Sequence, residues 1–226
     1  MNRATMAVIW DVDGTLVDTG ELHFRAWQKF FGEMEQPFTR QHFADTFGRR
    51  NPEILRELIR PDLTDDEVKE LGDRKESYYL AEAEELGIDL LPGVIMLLDG
   101  LQKRGVKQAI GSSAPKGNLA AILQLTKSAT YFDAVIGQED TQKGKPDPQV
   151  FLLGAQRLGV PPERCLVFED AVAGVQAAKA GGMCCIAVRF VGHHSSESLR
   201  DAGADRIVES LNDVSVDEVI ELIDQS

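Results

Sequence analysis

Residues 11–19 read DVDGTLVDT and directly follow a short apolar run, MAVIW, at residues 6–10. The run is too short for a helix and has β-branched residues at its centre, so it predicts a buried strand. Asp11 and Asp13 would then lie where this strand leaves the sheet, and ligands bind at the carboxyl ends of strands in open α/β sheets. Paired carboxylates at that place suit a hard cation such as Mg²⁺. Because Asp and Gly are also common turn residues, an ordinary turn is the alternative for this stretch alone.

Two later apolar runs end in polar residues of related chemistry. Residues 106–110 (VKQAI) stop at GSS, residues 111–113, and residues 165–168 (CLVF) stop at ED, residues 169–170. Between them lies KGKPDP at residues 143–148. If the strands are parallel neighbours, their ends bring hydroxyls, a lysine and several carboxylates together. This set suits phosphoryl transfer, which depends mostly on positioning and on charge stabilisation.

Strands alternate with helices from residue 94 onward, which predicts a parallel sheet with helices on both faces. The predicted strands span residues 106–110, 134–136, 164–168, 184–188 and 206–208. The predicted helices span residues 94–103, 119–125, 149–158, 171–180 and 211–223. Residues 192–197 form the loosest polar stretch of this part of the chain.

The segment after the first strand differs in character, because it contains no convincing strand and reads as nearly all helix. Asn51 is expected to cap a helix that has Pro52 at its first position. Thr64 opens a longer helix with a capping box, and Gly87 is the expected end of that helix. An all-helical block inserted after a strand is typical of a cap over the strand ends.

The predicted fold class is therefore α/β, with a doubly wound parallel (Rossmann-like) sheet as the core and an inserted α-helical cap domain. The core is assigned residues 1–18 and 91–226, and the cap residues 19–90. The expected hinges lie near Asp18-Thr19 and near Leu91-Pro92-Gly93. Closure of such a cap would exclude water and deliver side chains to the strand ends.

The motifs resemble, in order, those of the haloacid dehalogenase-like superfamily of aspartate-nucleophile phosphotransferases. They are DVDGT at residues 11–15, GSS at 111–113, KPDP at 145–148 and VFEDA at 167–171. Two further stretches, ELHFRAW at 21–27 and EDAVAGVQAA at 169–178, are similar to the β-phosphoglucomutase-like branch. The resemblance runs from about residue 6 to about residue 190.

The resemblance implies four catalytic residues. Asp11 is the nucleophile that forms an aspartyl-phosphate, and Asp13 is the general acid and base. Lys145 neutralises the phosphate and the attacking carboxylate. Either serine of the second motif could donate to phosphate, and the family pattern selects Ser112. Asp13 also argues against carbon–halogen cleavage, because the resembling dehalogenases lack this second acid.

The resemblance also implies that Mg²⁺ is the cofactor. The ion would be held by Asp11, by the backbone carbonyl of Asp13 and by Asp170. Glu169 joins them directly or through water. The alternative for Glu169 and Asp170 is helix capping, because a helix follows them at once.

The residues expected to bind substrate are His23, Trp27, Gly48, Arg49, Asn51, Lys75, Ser113 and Ala114. In the resembling branch, a histidine at position 23 helps to gate closure, and a lysine at position 75 helps to read a sugar. That branch carries a Gly-x-x-Arg loop that grips the distal phosphate of a bisphosphate. Here the fourth position is Asn51, so Arg49 or Arg50 would have to substitute from a shifted position.

These residues favour a Mg²⁺-dependent phosphatase of small phosphorylated metabolites, with sugar phosphates as the expected class. A β-phosphoglucomutase is the alternative, and the missing arginine at position 51 favours hydrolysis over it. A non-catalytic binding protein on the same scaffold is a third reading. Ser113 and Lys116 also fit the Ser-x-x-Lys pattern of serine acylases, but the companion motifs of those enzymes are missing.

Composition limits the remaining possibilities. The 226 residues carry a formal net charge of −13, which argues against nucleic acid as a partner. A small anionic substrate is still compatible, because a lysine and a bound cation can reverse the field locally. The three cysteines have no metal-binding spacing. With no signal pattern and no apolar stretch near the ~20 residues of a membrane span, the chain is expected to be cytoplasmic. It is also expected to be a monomer.

Overall fold

One sheet of six strands lies at the centre of the computed structural model, which describes residues 5–225. The strands are β1 (Ala7–Trp10), β2 (Lys107–Gly111), β3 (Ala134–Ile136), β4 (Cys165–Glu169), β5 (Cys184–Val188) and β6 (Arg206–Val208). Their order is β3-β2-β1-β4-β5-β6, and every neighbouring pair is parallel. The central pair, β1 and β4, therefore marks the point where the chain switches from one half of the sheet to the other. The predicted fold class is confirmed.

Ten α-helices accompany the sheet within residues 5–225. They are α1 (Gly20–Gly32), α2 (Arg40–Thr46), α3 (Asn51–Leu58), α4 (Asp65–Leu86), α5 (Val94–Lys103), α6 (Lys116–Leu125), α7 (Gln149–Leu158), α8 (Val172–Ala180), α9 (Ser196–Asp201) and α10 (Val216–Asp224). We call residues 20–86, which carry α1 to α4, the helical segment, and the other described residues the α/β core. Among these ten helices, none is both long enough and apolar enough to cross a membrane.

β1 is buried on both faces, as expected for the central strand of a parallel sheet. Val8 and Trp10 belong to a hydrophobic cluster that includes side chains of α5, α6 and α10. Ala7 and Ile9 face the opposite way, into a second cluster with side chains of α7 and α8. Two helical layers thus cover the sheet, and the functional residues can emerge only at the strand ends.

The helical segment has a hydrophobic cluster of its own, rich in aromatic side chains. Its members include Phe24, Trp27, Phe30, Phe31, Phe38 and Phe43. The segment leaves and rejoins the α/β core at adjacent points, because the Leu91 amide donates to the Leu16 carbonyl at 2.8 Å. The predicted helical insertion is confirmed, while the division into a core and a separate cap domain stays a prediction.

Local sequence patterns predicted some of the helix ends correctly and others not. Thr64 and Glu67 form the predicted capping box at the start of α4, and α4 ends at Gly87, whose φ is +75°. The prediction that Asn51 caps α3 is wrong, because Arg50 occupies the N-cap position. Asn51 is the first residue of the helix, and its side chain donates to Glu76 at 2.5 Å instead. The hydrogen bond to Glu76, which is distant in sequence, thus replaces the local capping interaction that was expected of Asn51.

The bounds of two short helices were not predicted. Thr39 is the N-cap of α2, and His42 takes the place that Glu or Gln has in the usual capping box. Ser195 is the N-cap of α9, which starts inside the loosest polar stretch of the sequence. The last predicted helix also divides, because Leu211–Asp213 is a 3₁₀ turn and Ser215 caps a separate α10. The helices α2 and α9 are short and contain too few apolar residues to show a clear period.

Candidate active site

The ends of β1 and β4 bring three acidic residues together. Asp11 follows β1 directly, and its amide donates to the Phe168 carbonyl of β4 at 3.0 Å. Glu169 is the last residue of β4, and Asp170 follows it. Oxygen atoms of Asp11, Glu169 and Asp170 all lie within 4.8 Å of one another, and all three residues are buried. The parallel register of two neighbouring strands thus creates the acidic cluster.

Lys145 lies inside this cluster. Its Nζ donates to Asp11 Oδ1 at 2.5 Å and to Glu169 Oε1 at 2.6 Å. The other oxygen of Glu169 accepts from the amides of Asp170 and Ala171, at 2.8 and 2.7 Å. Both oxygens of Glu169 therefore have partners, and one of them holds the lysine beside Asp11.

Two glycines make room for these carboxylates. Gly14 has a φ of +91°, and a Cβ at this position would overlap the carboxylate of Asp170. Gly174 lies in the first turn of α8, and a Cβ there would overlap the carboxylate of Glu169. The glycine of the first motif and the glycine that follows the fourth motif are thus explained by close approach.

The acidic cluster fits a divalent cation. Burial raises the pKa of Asp11 to about 8, where the charge of Lys145 opposes the shift and that of Glu169 adds to it. Burial also raises the pKa of Asp170, to which Glu169 and Asp11 contribute. Three buried carboxylates thus share one ammonium group, and a hard cation with oxygen ligands would supply the missing positive charge.

Asp13 lies apart from that cluster and faces the helical segment. Thr19 donates a hydrogen bond to Asp13 Oδ1, and His23 Nε2 lies 3.5 Å from the same oxygen. Burial by itself raises the pKa of Asp13, but the hydrogen bonds from His23 and Thr19 and the charge of Lys75 lower it below its ordinary value. The carboxylate is therefore held ionised, the form that accepts a proton.

A buried polar chain extends from His23 through the helical segment. Lys75 Nζ lies 2.8 Å from His23 Nδ1 and 2.9 Å from Glu76 Oε1. Because an ammonium group can only donate, His23 accepts at Nδ1 and carries its proton at Nε2, on the side of Asp13. Asn118 of α6 donates to Glu76 Oε2 at 2.6 Å, which joins the helical segment to the α/β core.

Two adjoining cavities lie between the helical segment and the strand ends. The larger, about 250 Å³, is lined by the predicted residues Asp11, Asp13, Gly48, Arg49, Ser112, Ser113, Lys145, Glu169 and Asp170. The smaller, about 50 Å³, is lined by Asp13, His23, Trp27, Gly48, Arg49, Asn51, Ser113 and Ala114. Of the predicted site residues, Lys75 is the one that lines neither cavity, because it is fully buried behind His23.

The three candidates for a grip on a distal phosphate are each paired with protein groups. Asn51 donates to Glu76, as described above. Arg49 lines both cavities but forms an ion pair of 2.7 Å with Glu57. Arg50 turns away and donates to backbone carbonyls of the α/β core. The cavities are therefore poorer in available positive charge than the sequence suggested.

Sequence reasoning missed several residues of the site. Glu76 and Asn118 meet across the two parts of the fold, and nothing local marks either of them. Thr19 directly follows the first motif, so its contact with Asp13 could have been expected from position alone. His194 lines the larger cavity from the stretch that was interpreted as a loose loop.

The family assignment rests on a model that matches most of the chain. The model of the haloacid dehalogenase-like hydrolases matches residues 5–182. The chain therefore belongs to the haloacid dehalogenase-like hydrolase family, and the predicted family is confirmed. Members of this family that are similar to the chain are phosphatases or phosphomutases that use an aspartate nucleophile, so the predicted enzyme class is confirmed as well.

Individual relatives include both kinds of enzyme. The chain is 32% identical over 217 residues to a β-phosphoglucomutase of Bacillus subtilis, covering 93% of this chain and 92% of the relative. It is 31% identical over 208 residues to a phosphorylated carbohydrates phosphatase of Thermotoga maritima, covering 89% and 93%. A crystal structure of β-phosphoglucomutase from Clostridium difficile matches with a TM-score of 0.86 over 98% of both chains. At 24% identity, that match shows the fold alone.

Proposed function

We propose that the chain is a Mg²⁺-dependent phosphatase of sugar monophosphates that works through an aspartyl-phosphate at Asp11. The observation that carries the choice of hydrolysis is the contact of 2.5 Å between Asn51 and Glu76. A mutase must bind a bisphosphate in two orientations, so it needs a cation for the phosphate that is not being transferred. At position 51 this chain has an amide bound to a buried carboxylate, which would repel that phosphate.

In the first half of the proposed reaction, an oxygen of Asp11 attacks the phosphorus atom. The bond from phosphorus to the sugar oxygen breaks, and that oxygen takes a proton from Asp13. Asp13 must therefore enter this half-reaction protonated, with the proton that it accepts from water at the end of each turnover. Lys145 offsets the charges of Asp11 and the phosphoryl group, and Ser112 donates to a phosphoryl oxygen. Mg²⁺ bound by Asp11, by the backbone carbonyl of Asp13 and by Asp170 would supply further positive charge at the phosphoryl oxygens.

In the second half, water attacks the phosphorus atom and gives its proton to Asp13. The bond between phosphorus and Asp11 breaks, which releases inorganic phosphate and the free carboxylate. The lowered pKa of Asp13 supports this step, because the ionised form is the one that accepts a proton. We also propose that residues 19–90 act as the cap, because two of these residues, Thr19 and His23, contact the carboxylate of Asp13 directly.

A β-phosphoglucomutase is the second candidate. Arg49 favours it, because its guanidinium lines both cavities and could hold a distal phosphate if it exchanged Glu57 for that ligand. The similarity to the B. subtilis β-phosphoglucomutase supports the same reading. The two activities share the aspartyl-phosphate and differ in whether water or a sugar hydroxyl resolves it.

One experiment distinguishes the phosphatase from the β-phosphoglucomutase. The enzyme is incubated with Mg²⁺, β-glucose 1-phosphate and a trace of β-glucose 1,6-bisphosphate, and both free phosphate and glucose 6-phosphate are followed. A panel of other sugar monophosphates is assayed for phosphate release in parallel. The proposal expects phosphate release to account for the turnover. Rapid formation of glucose 6-phosphate without matching phosphate release would overturn it in favour of the mutase.

A further inference from the structure

Arg50 connects the helical segment to the α/β core outside either cavity. Its Nη1 donates to the carbonyl of Thr141 and its Nη2 to the carbonyl of Gln142, each at 3.3 Å. Its Nε donates to Glu53 of the same helix at 2.8 Å, which fixes the plane of the guanidinium. The Arg50 side chain is 13% exposed; its hydrogen bond to Thr141 is partly buried, and the one to Gln142 lies at the surface.

The segment that Arg50 contacts leads directly to Lys145. On its core side, the amides of Gln142 and Lys143 both donate to Gln149 Oε1, at 2.8 and 3.1 Å. The carbonyls of the same segment face the opposite way, toward Arg50. The segment is therefore held from two sides just before the residue whose ammonium bridges two acids of the site.

Gly144 shows how closely the two parts meet. A Cβ at this position would lie 2.8 Å from both Arg50 Nε and Glu53 Oε1. The φ of Gly144 is not positive, so the backbone conformation does not by itself require glycine. The absence of a side chain is instead what allows the Arg50–Glu53 pair to pack on the residue that precedes Lys145.

We propose that Arg50 is a positioning residue for Lys145. By holding the carbonyls of Thr141 and Gln142 and packing on Gly144, it keeps Lys145 Nζ between Asp11 and Glu169. It does so only while the helical segment lies against the α/β core, so it couples that contact to the chemistry. The expected change in kcat rests on the proposed function, whereas the expected position of Lys145 does not.

The kinetic test compares Arg50→Ala with Arg56→Ala. Arg56 is the matched control because it lies in the same helix and donates to Leu63 and Asp65, both within the helical segment. Loss of two hydrogen bonds from a charged donor is expected to lower kcat of Arg50→Ala about tenfold. KM should stay within about twofold, since Arg50 lines neither cavity. Arg50→Lys should give an intermediate kcat, because an ammonium group cannot reproduce the planar fork.

A double-mutant cycle tests the packing on Gly144. Gly144→Ala alone should lower kcat, because its Cβ displaces the Arg50–Glu53 pair. In the Arg50→Ala background the same substitution should have little further effect, since the space has been vacated. Additive effects, a fall in kcat as large in Arg56→Ala, or an unchanged kcat in Arg50→Ala would each overturn the proposal.

A second measurement does not depend on the activity. Hydrogen exchange of the amides of Gln142 and Lys143 should be faster in Arg50→Ala than in the parent and unchanged in Arg56→Ala. If the parent releases no phosphate from any substrate but this exchange difference appears, the proposed function fails and the positioning stands. Equal exchange in all three proteins would overturn the positioning itself.

Discussion

Gly174→Ala should reduce both stability and activity, although Ala is the better helix former. In the helix α8 the backbone would accept Ala and gain up to about 1 kcal/mol. The added Cβ, however, overlaps the carboxylate of Glu169, which must leave Lys145 and the amides of Asp170 and Ala171. Breaking a buried ion pair by displacing one partner costs about 3–5 kcal/mol.

The balance of these two effects is a net loss of about 2–4 kcal/mol. For a chain of this length, that loss lowers Tm by roughly 5–15 °C. Because Lys145 would lose one of the two acids that hold it, kcat should fall by at least ~100-fold. Scanning calorimetry gives Tm, and phosphate release at saturating substrate gives kcat.

Gly32→Ala is the matched control for this substitution. Gly32 also lies in a helix, and a Cβ there would meet nothing within 4 Å. This variant should be as stable as the parent or slightly more so, with unchanged kcat. If Gly174→Ala behaved like Gly32→Ala in both measurements, the reasoning that close packing at Gly174 holds Glu169 and Lys145 would be refuted.

Three further predictions concern the proton, the cation and the buried acid. Asp13→Asn should lower kcat by at least ~100-fold if the residue transfers protons, and phosphate release equal to that of the parent would refute this role. Removal of divalent cations with a chelator should abolish phosphate release, and added Mg²⁺ should restore it; full activity in the metal-free protein would contradict the cofactor assignment. Glu76→Gln should lower Tm at neutral pH, because it leaves the buried Lys75 without its anionic partner. Burial opposes ionisation of Glu76, but Lys75 and its other partners lower the pKa of Glu76 below the ordinary 4.5. The difference in Tm between parent and variant should therefore be full above pH 4.5. It should narrow at lower pH, as Glu76 of the parent becomes protonated. A difference that widened on acidification would be inconsistent with that pKa shift.

The sequence predicted which residues meet at the strand ends, because strand ends are determined by local pattern. Asp11, Ser112 and Glu169 each follow or end a short apolar run. In a parallel sheet, the ends of neighbouring runs meet at one edge. The positions of these residues therefore needed only the strands, which the apolar runs predicted, and the expectation that those strands are parallel neighbours.

The sequence predicted the helical segment less well because its polar residues are paired across the fold. Asn51 was predicted to cap a helix and Lys75 to bind substrate, yet the side chains of both donate hydrogen bonds to Glu76. Arg50 and Arg49 are adjacent in sequence but bind groups in different parts of the molecule. Such choices depend on tertiary partners, which neither periodicity nor local capping preference contains.

The most direct test of the account is whether Asp11 becomes phosphorylated during turnover. The enzyme is mixed with Mg²⁺ and an accepted sugar phosphate, quenched in acid within the first turnover, digested and examined by mass spectrometry. The account predicts one added PO₃ group on the peptide that carries residues 11–19, and specifically on Asp11, with none in Asp11→Asn. An active enzyme whose Asp11 never carries phosphate would contradict it.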